Sequence, residues 1–536
     1  MRGADLLVQT LAKAGIETIF TLSGNQIMPV FDACLSAGIK LIHVRHEAAC
    51  VFMADAHAQL TGKPGVALVT AAPGFANALG PLYSATGAES PVILLSGDSP
   101  RDQDGTGAFQ ELDQVAVAEP LTKLSFRPRK AAALGDDMAQ ALRAAAAGRP
   151  GPVHMALPFD LLNEDVGDVE LPSEINLAPE TVGPDADTLG VLTAALTGAA
   201  RPVILTGPVL NPSRAGGLLE QLADAADAPV ISMESPRGLN DPCLGDFAEV
   251  LGKADVIVSL GKYLDFTTGF AKPPAMGENC RFLVVDPDAI ILGRARRALG
   301  PRLRYAARAD SGAAVETLIA ELDGGDARTE WRAEMAAAIA QRPPAPVETS
   351  DGAMHPMVLC AAVQRMLDAA DDPILIVDGG EFGQWAQACI SAPTRVINGP
   401  GGAIGGALCY ALGAKVARPD ATVVVLMGDG TVGFHFAEFE TAHRYGADFT
   451  CVIGHDARWN AEVQIQMRDY GPDRVYECNL DPTRYDQAAE GFGCHGEHVD
   501  GPADLDAALQ RADDSGLPAL VNVPIEGLPA PAGTGH

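Results

Sequence analysis

Short apolar runs recur along the whole chain, and alanine-rich stretches with helical spacing separate them. The first third holds Thr18–Leu22, Leu41–Val44, Val66–Thr70, Val92–Ser96 and Val153–Leu157. The middle holds Val203–Thr206, Val230–Met233, Val256–Leu260 and Phe282–Val285, and the last third Ile374–Val377, Thr422–Met427, Thr450–Ile453 and Leu520–Val523. Runs this short and this rich in β-branched residues predict buried strands. Their alternation with helices predicts an α/β chain of doubly wound parallel sheets. A first helix is expected from Ala4 to Ala14.

Two polar stretches interrupt the alternation. Residues 165–187 are rich in Glu, Pro and Asp, and residues 342–356 carry Pro343, Pro344, Pro346 and Pro356. Both read as linkers. They divide the 536 residues into three domains at about 1–165, 188–341 and 356–528, each of ordinary size. No short-period repeat is evident.

Composition narrows the partners. Apolar residues make up 47% of the chain, enough for several cores. The formal charge is 38 − 69 = −31, which argues against nucleic acid, whose phosphates need basic patches, and against an anionic membrane surface. The ten cysteines form no CxxC pair and mostly sit in apolar runs, as buried free thiols in a reducing compartment would. Neither a signal peptide nor a membrane span is predicted, so the cytoplasm is the expected location.

Four segments carry candidate chemistry. Gly428-Asp429-Gly430 follows the run Thr422–Met427 and precedes a helical pattern from Phe434 to Tyr445. Asp429 is therefore expected at the carboxyl end of a parallel strand, where open α/β sheets bind ligands. Glycines there admit a phosphate, and a carboxylate suits a hard cation bridging to it. His455 lies 26 positions later, in Gly454-His455-Asp456-Ala457-Arg458-Trp459-Asn460, after the next strand. Arg45-His46-Glu47-Ala48-Ala49 opens a mostly apolar helix, and Pro73-Gly74-Phe75-Ala76-Asn77 reads as a turn. Each alone fits an ordinary turn or a dipole-favouring helix start. No GxxxxGK[ST] loop is present, and Gly399–Gly405 fails GxGxxG because Ile404 occupies the last glycine position. A hydride-transfer enzyme is disfavoured on that ground.

Taken in order, these segments resemble the thiamine-diphosphate enzymes of the acetolactate synthase type, in the branch of benzaldehyde lyase and 2-hydroxyacyl-CoA lyase. The likeness also covers Gly3-Ala4-Asp5, Ser23-Gly24, Ala108–Gln114 and Gly402-Ala403-Ile404-Gly405. It implies pyrimidine-binding, central and diphosphate-binding domains. It also implies a homodimer or homotetramer whose active sites are shared between subunits. Glu47 would be the acid that hydrogen-bonds the cofactor pyrimidine, with Pro73 and Asn77 beside it. Gly402 would accept from the amino group, and Ile404 would hold the cofactor bent. Gly428, Asp429, Gly430 and Thr431 would bind the diphosphate and its divalent metal, Mg²⁺ or Mn²⁺.

One position departs from the family pattern. Relative to the family's usual asparagine, His455 would be a metal ligand beside Asp429 and the backbone of Ala457. Imidazole suits a softer metal than Mg²⁺. Three readings stay open: His455 ligates such a metal, turns away and leaves a water, or weakens the site. Gln110 would face the substrate as a catalytic group, with Gln26, Glu111, Trp459 and Asn460 as further substrate candidates. Segment Leu239–Leu251 is shortened where the family contacts FAD, so FAD is not expected. The short tail after Val523 leaves little to cover CoA. The implied activity is a lyase or carboligase on a small 2-keto or 2-hydroxy carbonyl compound. A 2-hydroxyacyl-CoA lyase or oxalyl-CoA decarboxylase-like enzyme is the alternative. A non-catalytic cofactor- or nucleotide-binding homologue is the alternative of another class.

Overall fold

The computed structural model describes residues 1–342, 353–397 and 401–531. Pro343, Pro344 and Pro346 of the second linker, and Gly399 and Pro400, lie outside the described residues.

Three sheets follow one another along the chain. The first contains β1 (Thr18–Thr21), β2 (Lys40–His43), β3 (Gly65–Val69), β4 (Val92–Asp98), β5 (Leu124–Phe126) and β6 (Val153–Pro158), in the order β2-β1-β3-β4-β6-β5. The second contains β7 (Pro202–Thr206), β8 (Val230–Ser232), β9 (Val256–Leu260), β10 (Arg281–Val285) and β11 (Leu303–Ala307), in the order β11-β10-β9-β7-β8. The third contains β12 (Pro373–Val377), β13 (Thr394–Ile397), β14 (Thr422–Gly428), β15 (Thr450–His455), β16 (His495–His498) and β17 (Ala519–Pro524), in the order β13-β12-β14-β15-β17-β16. All named strands pair in parallel. The first and third sheets therefore share one topology, a kinship the sequence does not display.

Every apolar run predicted as a strand is one. The four strands without a predicted run, β5, β11, β13 and β16, are all edges of their sheets. An edge strand buries less of each face and needs no continuous apolar run; β16 is His495-Gly496-Glu497-His498, only half-buried throughout. The first helix runs Gly3–Lys13. The predicted turn at Pro73–Asn77 is instead a single helical turn, with Pro73 in its first positions, where a missing N–H costs nothing. The helix predicted from Phe434 to Tyr445 begins later, at Glu438, and a separate short helix Asp429–Val432 precedes it. Among the described residues no helix is long and apolar enough to cross a membrane.

The first and third sheets join mainly through one pair of helices. The buried helix Ala407–Ala417 lies against the helix Glu47–Thr61, and their side chains belong to a single apolar core. Gly413 makes this approach possible, since a Cβ there would stand 2.5 Å from the Met53 carbonyl oxygen. Phe52 meets Tyr410 edge to face at 5.7 Å, and the Tyr410 hydroxyl donates to buried Asp55 at 2.6 Å. The middle unit is fastened by Arg149, which pairs with Glu89 and Asp286 and donates to the Gly261 carbonyl at 2.8 Å.

Substituting Gly413→Val tests this contact. Overpacking against fixed backbone is expected to cost about 1–3 kcal/mol and to lower the thermal midpoint in a calorimetric scan. An unchanged midpoint would mean that the two helices separate at little cost.

Candidate functional site

Each outer sheet presents its candidate residues at the carboxyl ends of its strands. On the first sheet, Gln26 follows β1, Glu47 follows β2, Thr70 and the Pro73–Asn77 turn follow β3, and Gln110 lies in the loop after β4. On the third, Gly379 follows β12, Gly402 and Ile404 follow β13, Gly428–Thr431 end β14 and His455–Asn460 end β15. Parallel strands force this arrangement, because all their carboxyl ends lie on one edge.

At the first edge, Glu47 begins its helix after His46, whose ring nitrogen accepts from the Ala48 N–H at 3.1 Å. The Asn77 amide donates to Glu47 Oε2 at 3.0 Å. Pro73 and Asn77 are exposed, and Ala72, which leads into the turn, has φ 44°. Nearby, Thr70 Oγ1 donates to Gln26 Oε1 at 2.7 Å, and Gln26 Nε2 donates to Gln110 Oε1 at 2.7 Å. This chain fixes the Gln110 amide with its oxygen toward Gln26 and its N–H₂ turned away from that bond. Gln110 sits at φ 59°, a left-handed conformation that a side chain adopts at a cost and that clusters at functional sites. Glu111 turns back into its own loop and accepts from the N–H groups of Gly105, Gly107 (2.9 Å) and Ala108 (3.1 Å). Those donors hold its carboxyl below the ordinary glutamate range, and they make it a brace for the loop that carries Gln110.

At the third edge, a cleft of about 140 Å³ is lined by Gly379, Ile404, Gly428, Asp429, Gly430, Thr431, Asp456, Arg458, Trp459 and Asn460, among others. Arg237 of the middle unit also reaches it, and no residue of the first sheet does. Ile404 is half-buried against Gly379, where a Cβ would stand 2.5 Å from its Cγ2. Gly402 is exposed with φ 87°. Trp459 covers Gly430, since a Cβ there would lie 2.9 Å from the indole, and tilts against Phe434 at 6.1 Å. Asn460 is buried and committed to scaffolding, donating to the Leu528 carbonyl at 3.2 Å and accepting from Gln464 at 3.0 Å.

The electrostatics of this cleft are unusual. Asp429 is 2% exposed, and its Oδ2 has no hydrogen-bond partner among the described residues. His455 Nε2 stands 3.7 Å away, also unpartnered. The other ring nitrogen of His455 contacts Asn522 Oδ1 at 3.0 Å. An amide oxygen only accepts, so Nδ1 carries a proton, and in the neutral ring Nε2 would present a lone pair toward the carboxylate. Asp456, absent from the residues singled out in the sequence, lies within hydrogen-bonding reach of Asp429. Burial, reinforced by the charge of Asp429, pushes its carboxyl up to about 7, and burial raises Asp429 as well. Buried acceptors that converge without a donor are costly unless a cation joins them. The 3.7 Å gap is within the ~4.2 Å that two metal–ligand bonds of ~2.1 Å can span. The residues therefore fit a bound cation. The Ala457 carbonyl is taken by the Leu480 N–H at 2.7 Å, and Ala457 itself has φ 54°.

Asp456 follows His455 directly in the loop read from the sequence, yet its importance depends on burial beside Asp429, which spacing alone does not reveal. The same holds for Thr70, whose only visible signal was its place at the end of a strand.

Comparison with known proteins identifies the family. Residues 1–117 match the family model for the thiamine pyrophosphate enzyme N-terminal TPP binding domain, and residues 378–523 match that for the C-terminal TPP binding domain. A probable acetolactate synthase of Mycobacterium bovis is 33% identical over 98% of this chain and 95% of its own length. The 2-hydroxyacyl-CoA lyase 2 of Bos taurus is 30% identical over 97% of this chain and 89% of its own, and that of Homo sapiens is 29% identical over the same shares.

The bracing role of Glu111 predicts a local effect. In Glu111→Ala, amide hydrogen exchange at Gly105, Gly107 and Ala108 is expected to speed up while the sheet amides keep their protection. Unaltered exchange at those three positions would mean that the loop is held by other contacts.

Proposed function

The chain belongs to the thiamine pyrophosphate enzyme family, and on that premise we propose that it is a carbon–carbon lyase or carboligase acting on a small 2-keto or 2-hydroxy carbonyl compound. The observation that carries the reading is the division of the site. Glu47 with Asn77 stands at one sheet edge, and Asp429, with its Oδ2 unpartnered, stands at the other. When bound, thiamine diphosphate supplies the electron sink for making or breaking a bond beside a carbonyl.

The chain's own residues then have distinct tasks. Glu47, held by Asn77, would hydrogen-bond the cofactor pyrimidine, with Pro73 shaping the turn beside it. Ile404 would support the cofactor from its apolar side, and the Gly402 carbonyl would accept from its amino group. Backbone N–H groups of Gly428, Gly430 and Thr431 would bind the diphosphate. Asp429 would hold the divalent cation that neutralises the diphosphate. Asp456 is the second ligand favoured here, because it lines the cleft and His455 does not. Two carboxylates suit Mg²⁺ or Mn²⁺, and His455 buttresses Asp429 from behind. The competing reading, in which His455 Nε2 ligates a softer cation together with the Ala457 backbone, rests on its unpartnered lone pair. Gln110, set by Gln26, offers an N–H to the substrate carbonyl or carboxylate; Trp459 walls the substrate side.

A cleft of about 140 Å³ is well below the ~300 Å³ at which ligand pockets begin. That supports completion of each site by the first domain of a second copy, in a homodimer or homotetramer. Exposed Tyr83 (58%), Phe109 (73%) and Phe434 (52%) offer apolar surface for such a contact. The names of the relatives, a synthase and a 2-hydroxyacyl-CoA lyase, keep an acyl-CoA substrate as the second reading. Assays of pyruvate, acyloins and a 2-hydroxyacyl-CoA thioester separate the two.

Calorimetric titration of the metal-free protein with thiamine diphosphate tests the site. Binding is expected with Mg²⁺ and is expected to vanish in Asp429→Ala. Asp456→Ala should weaken the cation at least about tenfold, with His455→Asn close to the unaltered protein. The reverse pattern would make His455 the ligand. Glu47→Gln should suppress turnover and spare cofactor binding, and full activity in that variant would refute the role of Glu47.

A further inference from the structure

The segment that delivers Glu47 is held from outside its own sheet. Residues 41–46 lead from β2 into the Glu47 helix, and one face of the helix Glu438–Tyr445 grips them. Glu438 Oε1 accepts from two successive backbone N–H groups, Arg45 at 3.0 Å and His46 at 3.1 Å. The Tyr445 hydroxyl accepts from the His43 N–H at 2.8 Å and donates to the Leu41 carbonyl at 3.2 Å. Arg444 donates to the His43 carbonyl at 2.7 Å. Residues 438, 441 and 445 fall on one helix face by their spacing, while Phe439 and Ala442 anchor the helix in the shared core.

Glu438 is the unusual member of this set. It is 1% exposed, and its second oxygen accepts from Thr441 Oγ1 at 2.7 Å. Burying a carboxylate costs free energy that hydrogen bonds only partly offset, and burial raises its carboxyl above the ordinary range. Its donors are the amides of the two residues before Glu47. A side chain at the first position of a helix inherits its direction from those peptides. Removing their acceptor frees the turn to rotate and moves the Glu47 carboxylate with it.

We infer that Glu438 is a positioning residue for Glu47: by binding the Arg45 and His46 amides, it sets the Glu47 carboxylate against the cofactor pyrimidine. The inference rests on the reading of Glu47 given above.

The test uses the full-length protein loaded with thiamine diphosphate and Mg²⁺. It measures exchange of the bound cofactor's C2 proton for deuterium, by acid quench and proton NMR, which needs no substrate. Displacing a reacting group by ~1 Å can cost up to ~100-fold in rate. Glu438→Leu is therefore expected to slow C2 exchange about 10–100-fold while calorimetry still registers cofactor binding. Glu438→Gln keeps an oxygen for the two amides and is expected to restore exchange to within about threefold of the unaltered protein. Should Glu438→Leu fail to fold, Thr441→Val decides: slower exchange supports the inference and unchanged exchange overturns it. A folded, cofactor-loaded Glu438→Leu with unaltered exchange overturns it as well. Glu47→Gln is the separating control. If it slows exchange and Glu438→Leu does not, only the positioning role fails. If it has no effect, the role of Glu47 fails, and the inference with it.

Discussion

The contact that organises this chain is the near-touching of two helices at Gly413. Without a side chain at that position, the helix Ala407–Ala417 settles onto the backbone of the helix Glu47–Thr61, and two α/β units close around one core. That closeness has consequences beyond stability. It brings the helix Glu438–Tyr445 against the strand that delivers Glu47. The third unit thereby holds the backbone that leads into Glu47. A looser contact would leave each sheet edge intact and lose the register between them.

Buried carboxylates offer a way to tell scaffold from site. Asp55, Asp378, Glu438 and Asp429 are all nearly inaccessible. Asp55 has Tyr410 and Gln59 as donors, Asp378 takes the Gly405 N–H on both oxygens, and Glu438 has three donors. Each of these is a finished structural bond. Asp429 alone of the four has a side-chain oxygen recorded without any partner, and it faces a histidine lone pair and a second carboxylate. Desolvation penalises all four alike; the difference lies in what compensates it. For three the compensation is protein on every oxygen; for Asp429 it is only partly so, which is the ground for the cation proposed there.

Much of the fold was legible because central strands of parallel sheets are apolar on both faces. Where that cause fails, the reading fails with it. β16 carries two histidines and a glutamate at a sheet edge, and no apolar run marks it. The site was legible in so far as its chemistry is local. Gly428-Asp429-Gly430 and the glutamate after His46 announce themselves by residue type next to a strand. The Thr70–Gln26–Gln110 chain joins residues 44 and 84 positions apart, and no spacing rule reaches that far. Asp456 differs again: it stands beside His455 in the chain, and only the backbone of the loop, not residue type or spacing, directs it into the open cleft.

The two outer sheets have the same strand order, 2-1-3-4-6-5 within each unit, and yet they hold different halves of the site. The sheets cannot be the source of that difference, because their topology and pleat are alike. It resides in the loops at their carboxyl ends. The first sheet supplies side-chain oxygens and amides on short, strained turns, with Ala72 and Gln110 at positive φ. The third supplies glycine-flanked backbone and paired carboxylates. The family models match both outer units. The substrate side proposed here rests on fewer residues, Gln110 and Trp459. This is why the family is readable from the sequence long before the substrate is.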